Sequence, residues 1–326
     1  MKNNIELLAP AGNYEAAIAA ISNGADAIYL GLNNFSARAY ATNFNFDSLK
    51  EIVDYAHLRL VKVYVTMNTI LYENEIENAF EAIDNIASIG VDAVIVQDLA
   101  LVNYINCHFP TLEVHISTQV GIDDKEGLAT MERLGAKRVV LAREVSIDKI
   151  KEMKKTSNMP LEVFAHGALC VSYSGNCLMS GLIGMRSGNR GRCVGACRKQ
   201  YTLFDATTKT SYKKSYLLST KDLKTIDYLD ELLPYVSSLK IEGRMRDASY
   251  TACVVSNYRS VIDHTKAIQA ANDQLKRTFH RTYTKGYLFG ESTKDIVNIS
   301  KPNNFGYLAG EVVKVIKDRV WIKVYY

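Results

Sequence analysis

The chain lacks any apolar run near the ~18 residues needed to span a bilayer. Its longest such stretch, Val91 to Val102, is interrupted by Asp92, Gln97 and Asp98. A signal-peptide pattern is also missing, because Met1-Lys2-Asn3-Asn4 runs straight into Ile5-Glu6-Leu7-Leu8. From these absences we expect a cytoplasmic protein with no membrane partner, in a compartment that keeps thiols reduced. Six cysteines in such a compartment point to metal binding or catalysis ahead of disulfides. Neither His-Glu-x-x-His nor Gly-x-Ser-x-Gly occurs, which removes the zinc-protease helix and the serine-hydrolase elbow. Acidic residues are absent from His166 to Tyr201, where Arg186, Arg190, Arg192, Arg198 and Lys199 all fall. The net charge of +4 names no partner, but this local basic, glycine-rich segment suits an anionic one.

What is present is ordinary globular composition: 326 residues, 48% apolar and 23% charged, enough for one large core. Short runs rich in Val, Ile and Leu recur at Glu6–Ala9, Ala27–Leu30, Val61–Val65, Ala93–Val96, Leu112–His115, Arg138–Leu141, Leu161–Phe164 and Ser238–Ile241. Amphipathic stretches of helical length separate them, among them Asn13–Asn23, Phe46–Arg59, Glu75–Ile89, Glu126–Leu134 and Ile147–Lys155. Eight strand–helix repeats over roughly 250 residues predict a closed (β/α)₈ TIM-type barrel. The alternative, an open doubly wound sheet, is weakened because Pro10-Ala11-Gly12 stands where a glycine-rich phosphate loop would follow strand one.

Barrels carry their chemistry at the carboxyl ends of the strands. Those ends read Asn68 after strand three, Gln97-Asp98 after four, Ser117-Thr118-Gln119 after five, Arg143-Glu144 after six, His166-Gly167 after seven and Glu242-Gly243-Arg244 after eight. Loop polarity alone accounts for only part of this convergence. The connection between strands seven and eight, residues 166–237, is far longer than barrel loops usually are. We expect it to hold a hairpin at Tyr201–Leu218 and a helix at Lys221–Leu233, with one closing helix at Ala248–Asn272 after strand eight. The barrel is expected over residues 1–290 and a small β module over 291–326. That module reads as incomplete, part of a longer protein, or as an edge packed on the barrel.

The long connection carries Cys170-x₆-Cys177-x₁₅-Cys193-x₃-Cys197 among seven glycines from Gly167 to Gly195. Four soft thiolates select zinc or an iron–sulfur cluster. Structural zinc favours two close pairs, and only Cys193 with Cys197 makes one. An iron–sulfur cluster fits the irregular spacing better, with zinc second and unligated thiols or disulfides third. Cys107 and Cys253 are read as small buried hydrophobes.

The run Glu162-Val163-Phe164-Ala165-His166-Gly167-Ala168-Leu169-Cys170, continuing to Cys177-Leu178-Met179-Ser180, resembles the signature of the collagenase-like U32 peptidase family. The likeness extends to Leu7-Leu8-Ala9-Pro10-Ala11-Gly12, to Gly24–Gly31, to Ser187–Cys193 and to Lys240-Ile241-Glu242-Gly243-Arg244. It implies an iron–sulfur protein of the branch that hydroxylates RNA bases without dioxygen, at a tRNA uridine or a 23S rRNA cytidine, with prephenate as cosubstrate. A [4Fe–4S] cluster would then sit on Cys170, Cys177, Cys193 and Cys197. Arg143 and Arg244 would grip the two prephenate carboxylates in bidentate fashion, beside Gln97 and Gln119. His166, Glu144 and Glu242 are the candidates for proton transfer. Arg186, Arg190, Arg192, Arg198 and Lys199 would meet RNA phosphates. For the arginines, salt bridges Arg143–Glu144 and Arg244–Glu242 are an equal reading. The family's label implies the alternative, a peptidase built on a Cys170–His166 dyad, and a non-catalytic, metal-stabilised RNA-binding or assembly subunit is a third. The chain departs from the family at His280-Arg281-Thr282-Tyr283-Thr284, where Asn-Arg-Gly-Phe-Thr is usual.

Overall fold

A computed structural model describes residues 5–325. Eight parallel strands close on themselves: β1 (Glu6–Pro10), β2 (Ala27–Gly31), β3 (Lys62–Met67), β4 (Ala93–Val96), β5 (Glu113–Ile116), β6 (Arg138–Val140), β7 (Leu161–Ala168) and β8 (Ser238–Ile241). Each pairs with the next, and β8 returns to β1 through Glu6↔Ser238, Leu7↔Leu239 and Leu8↔Lys240. The expected barrel is therefore present.

Strand alternation sorts the side chains into two cores. Leu7, Ala9, Ile28, Leu30, Val63, Val65, Val94 and Val96 face outward and join the buried faces of the surrounding helices. Those helices start where the sequence offers side-chain caps: Asn13, Asp98, Asp124, Ser146 and Asp247 each accept a backbone N–H, and Asn45 forms a capping box with Ser48. Leu8, Ala27, Tyr29, Tyr64, Ala93 and Ile95 form a separate cluster inside the barrel.

Below that apolar layer lies a buried ionic one. Arg138 bonds both oxygens of Glu6 and reaches Glu162 at 3.1 Å. Lys240 donates to the other Glu162 oxygen at 2.8 Å, and Tyr64 donates to Glu6 at 2.6 Å. Burial alone would push the Glu162 carboxyl upward, but Lys240 and Arg138 reverse this and hold it at about 2.

Strand β7 outruns the barrel. Its first half pairs with β8, while His166–Ala168 pair antiparallel with a short strand, Asp222–Lys224, which in turn lies parallel to Tyr283–Thr284. Here the expected helix at Lys221–Leu233 is corrected: it opens as this strand, and only Leu229–Leu232 is α-helical. The expected closing helix is likewise two, Ala248–Ile262 and Ile268–Leu275, broken at His264, whose φ is +56°. The departing His280–Thr284 stretch belongs to this junction, since Arg281 pairs with Asp222 at 2.9 Å and His280 stacks on Tyr283.

A small hairpin (Phe204–Asp205 with Thr210–Ser211) lies within the long connection. Residues up to about 300 stay tied to it, through Lys221 N–H to the Ile296 carbonyl and a bridge from Thr220 to Val297. A final antiparallel pair, Gly310–Ile316 with Arg319–Val324, is exposed on both faces. No helix of the described residues is long and apolar enough to cross a membrane. Cys107 departs from expectation by being exposed, and Cys253 is only half-buried.

Candidate active site at the barrel mouth

The carboxyl ends of the strands converge on three arginines and one glutamate. Glu242, just past β8, accepts from Arg38 at 3.0 Å and faces Arg143 at 3.6 Å. Burial raises its carboxyl, but Arg38, Arg143 and Arg244 together leave it lowered, so Glu242 is a carboxylate. Arg143 also lies over the Phe164 ring at 4.3 Å. Arg244 is 3% exposed and, among the described residues, pairs with no acid. It donates to Ser36 Oγ at 2.7 Å and Thr66 Oγ1 at 3.0 Å, and to Asn43 Oδ1. Burial pulls this guanidinium down to about 10, so it stays charged at neutral pH. Tyr29 closes the floor by donating to the Ile241 carbonyl at 2.9 Å.

Both expected salt bridges are corrected. Arg143 pairs with Glu242 rather than Glu144, and Arg244 pairs with hydroxyls and an amide. Glu144 instead accepts from the Ser174 N–H at 3.3 Å, which fixes the loop above. Arg38 was missing from the sequence reading, which took rim residues only from strands three to eight. The signal lay in the long connection after β2, where Ser36-Ala37-Arg38 and Asn43 all serve the mouth.

Gln97 and Gln119 do meet at the rim. Gln97 donates to the Gln119 carbonyl at 3.2 Å, and Gln119 donates to the Asn68 carbonyl. Among the described residues three buried polar atoms of this mouth have no partner: Gln97 Oε1, Arg143 Nε and Arg244 Nε. Buried polar atoms are normally satisfied, so their convergence suits a polar small molecule.

His166 is placed elsewhere, against expectation. It is 1% exposed, 3.3 Å from the Tyr258 hydroxyl, and ringed by Tyr250, Tyr258 and Tyr283. Burial, then Lys224 and His280, push it down to about 3, so it is neutral. It shares no hydrogen bond with Cys170 among the described residues. The position is that of a packed core histidine, and the Cys170–His166 dyad is not assembled.

The cysteine-rich segment roofs the mouth. Ser174 Oγ accepts from the Arg143 N–H at 3.1 Å. Gly175 (φ +78°) and Gly191 (φ +83°) touch backbone of the rim so closely that a Cβ would lie 2.0 Å from the Gln119 carbonyl oxygen and 2.6 Å from the Ala39 nitrogen. Arg190 ties the roof to the loop after β3 through Glu75 at 2.5 Å and the Tyr72 ring at 4.3 Å. Arg198 anchors its far end, on Ser219, Thr220 and the Leu169 carbonyl. These two arginines are structural clamps, which corrects their expected role toward RNA. Arg186, Arg192 and Lys199 are exposed, with Arg186 reaching the Tyr40 hydroxyl at 3.3 Å.

All four cysteines are free thiols, and Cys170, Cys177 and Cys193 all lie close enough to perturb Cys197. Burial raises the Cys197 thiol first, Arg198 opposes, and the other three thiols raise it further. Among the described residues no three metal-ligating side chains close around a single ion. Four soft donors in one neighbourhood beside Arg198 and Arg38 are nonetheless a chemically suitable set for a larger anionic cluster.

Fold and site together define a TIM-type barrel whose basic mouth is roofed by a four-cysteine insertion. A profile of Peptidase family U32 matches residues 12–298, and the chain belongs to that family. It is 37% identical to the 23S rRNA 5-hydroxycytidine C2501 synthase of Escherichia coli (strain K12), over 99% of this chain and 51% of the relative. It is 37% identical to tRNA hydroxylation protein P1 of Bacillus subtilis (strain 168), over 79% of this chain and 63% of that protein. A collagenase of Porphyromonas gingivalis (strain ATCC BAA-308 / W83) is 34% identical over 89% of this chain and 74% of its own. The chain thus spans about half the length of the first of these relatives. Among solved structures, the U32 peptidase Mk0906 superposes with a TM-score of 0.51 at 14% identity, covering 73% of this chain and 93% of that one, which supports the fold.

Proposed function

We propose that this chain is the barrel portion of an RNA-base hydroxylase acting on a tRNA uridine or a 23S rRNA cytidine in the cytoplasm. The observation that carries the reading is the mouth itself: three arginines against one carboxylate leave a net charge of two positives (3 − 1 = +2) under a roof of four thiols. A small dicarboxylate such as prephenate matches that charge. Arg143 and Arg244 would hold its two carboxylates, using the Nε donors that lack partners, while Gln97 Oε1 accepts from a hydroxyl. Cys170, Cys177, Cys193 and Cys197 would hold a [4Fe–4S] cluster, whose redox chemistry is the contribution of the group when bound. Glu242 sets the spacing of Arg38 and Arg143. The names of two relatives support RNA as substrate. Against the peptidase reading, His166 is buried against the Tyr258 hydroxyl and shares no hydrogen bond with Cys170 among the described residues.

The test is the modification profile of tRNA and rRNA from a deletion strain, complemented with wild type and with Cys170→Ser. Loss of one hydroxylated base, restored by the wild type alone, is the expected result. A profile unchanged by the deletion overturns the proposal. Anaerobically purified protein should be brown and carry iron and sulfide; colourless protein with stoichiometric zinc rejects the cluster.

A further inference from the structure

Outside the barrel, next to the mouth, a cleft of about 490 Å³ is lined by Met245, Arg246, Tyr250, Cys253, Arg277 and Phe279 among others. The Arg246 guanidinium lies over the Phe279 ring, 3.4 Å from its centroid. The side chain is half-exposed and lines the cleft, with the Tyr250 ring centroid 5.8 Å from the guanidinium. Among the described residues the Arg246 side chain makes no hydrogen bond or ion pair. The nearby acids are engaged: Asp247 caps its helix by accepting from the Tyr250 N–H at 2.8 Å and from Ser249 Oγ at 2.7 Å, and Asp222 holds Arg281 at 2.9 Å. Arg277 lies 5.9 Å over Tyr307, adding a second cation on an aromatic ring. The cleft is joined to the mouth through Tyr250, whose hydroxyl donates to the Glu242 carbonyl at 3.1 Å.

A guanidinium stacked on one face with its edge donors uncommitted suits a planar base on the other face and a phosphate at the edge. The volume admits one nucleotide. We propose that this cleft is a subsite for a nucleotide of the RNA strand flanking the base that enters the mouth, with the base stacked on Arg246 and its phosphate held by Arg246 and Arg277. The substrate class rests on the RNA reading above, whereas the cleft's chemistry does not.

The experiment measures binding of a short dye-labelled single-stranded oligouridine by anisotropy, with AMP as competitor. It uses the full chain as wild type, Arg246→Gln, Arg246→Lys and Phe279→Leu. Arg246→Gln should weaken oligouridine about tenfold, and Phe279→Leu by a similar factor. Arg246→Lys should keep the salt dependence but lose most of the stacking, giving an intermediate value. Wild-type affinity in both Arg246→Gln and Phe279→Leu overturns the subsite. Arg246→Gln that blocks AMP but not oligouridine also overturns it, in favour of a free mononucleotide site. If Phe279→Leu melts early, Arg246→Gln decides, because that side chain is half-exposed and supports no hydrogen bond. Oligouridine binding lost in Arg246→Gln, together with an unaltered base profile in the deletion strain, would reject the hydroxylase reading and leave the subsite standing.

Discussion

Glu162, fully buried, and Glu242, partly buried, are both held ionised by two or more cations, yet they serve opposite ends of the barrel. Glu162 is locked by Arg138 and Lys240 in the interior, so removing its charge strands Lys240 there and leaves Arg138 to Glu6 alone. Glu162→Gln should cost on the order of 3 kcal/mol, read as a lower urea midpoint with an unchanged slope. His166 gives a prediction in pH. Its folded pKa of about 3 lies below the ~6.5 of an unfolded histidine, so the unfolded state binds more protons between those values. Stability therefore falls as pH drops through that window, by about 2 kcal/mol from this group at pH 5. In His166→Phe the loss between pH 7.5 and pH 5 should be smaller than in wild type by that amount. Equal losses in the two proteins would show that His166 titrates normally.

At the scale of elements, the cysteine-rich roof is a separate layer attached at a few points. Gly175 and Gly191 are the points where backbone meets backbone with positive φ, and no side chain fits there. Gly175→Ala should lift the roof and speed proteolytic nicking between residues 170 and 200, while the barrel melts nearly as before. The basic residues of this segment divide by what they touch. Arg192→Ala and Lys199→Ala should each lower RNA affinity and reduce the salt slope by about one. Arg198→Ala should leave that slope unchanged and instead lower the iron content, since its bonds to Leu169, Ser219 and Thr220 tie down the cysteine-bearing chain. A changed slope in Arg198→Ala would return that residue to the RNA surface.

Across the whole molecule, the barrel and the terminal hairpin contrast sharply. Val312, Val313, Val315, Ile316, Val320, Trp321, Ile322 and Val324 are all 43–64% exposed, so the hairpin lends the barrel little burial energy. Deleting residues 306–326 should leave the melting temperature unchanged and reduce self-association at high concentration. A marked fall in melting temperature would mean that the hairpin packs in solution in a way the described structure does not contain. Eight strands, their order of closure and the oversized seventh connection were legible from apolar periodicity, because each strand of a parallel barrel is buried on both faces. The Asp222–Lys224 strand was not, since three residues paired with the overrun of β7 carry no periodicity of their own. The rim residues Glu242, Arg143, Arg244, Gln97 and Gln119 were legible as polar ends of apolar runs.

The sequence by itself determined the barrel, the site's end of it and the four thiols, because these follow from local pattern and residue chemistry. Only the tertiary structure decided which charge meets which. Arg38 and Glu242 are 204 positions apart and pair, whereas the adjacent Arg143 and Glu144 do not. Successive residues leave a strand end in opposite directions, so neighbours in sequence part and distant residues on the same rim converge. Along β7 alternation from Glu162 and Phe164 would aim His166 inward, and the register shift between Phe164 and His166 turns it into its tyrosines instead, while Arg190 and Arg198, in the long connection, act as clamps through the distant groups they meet.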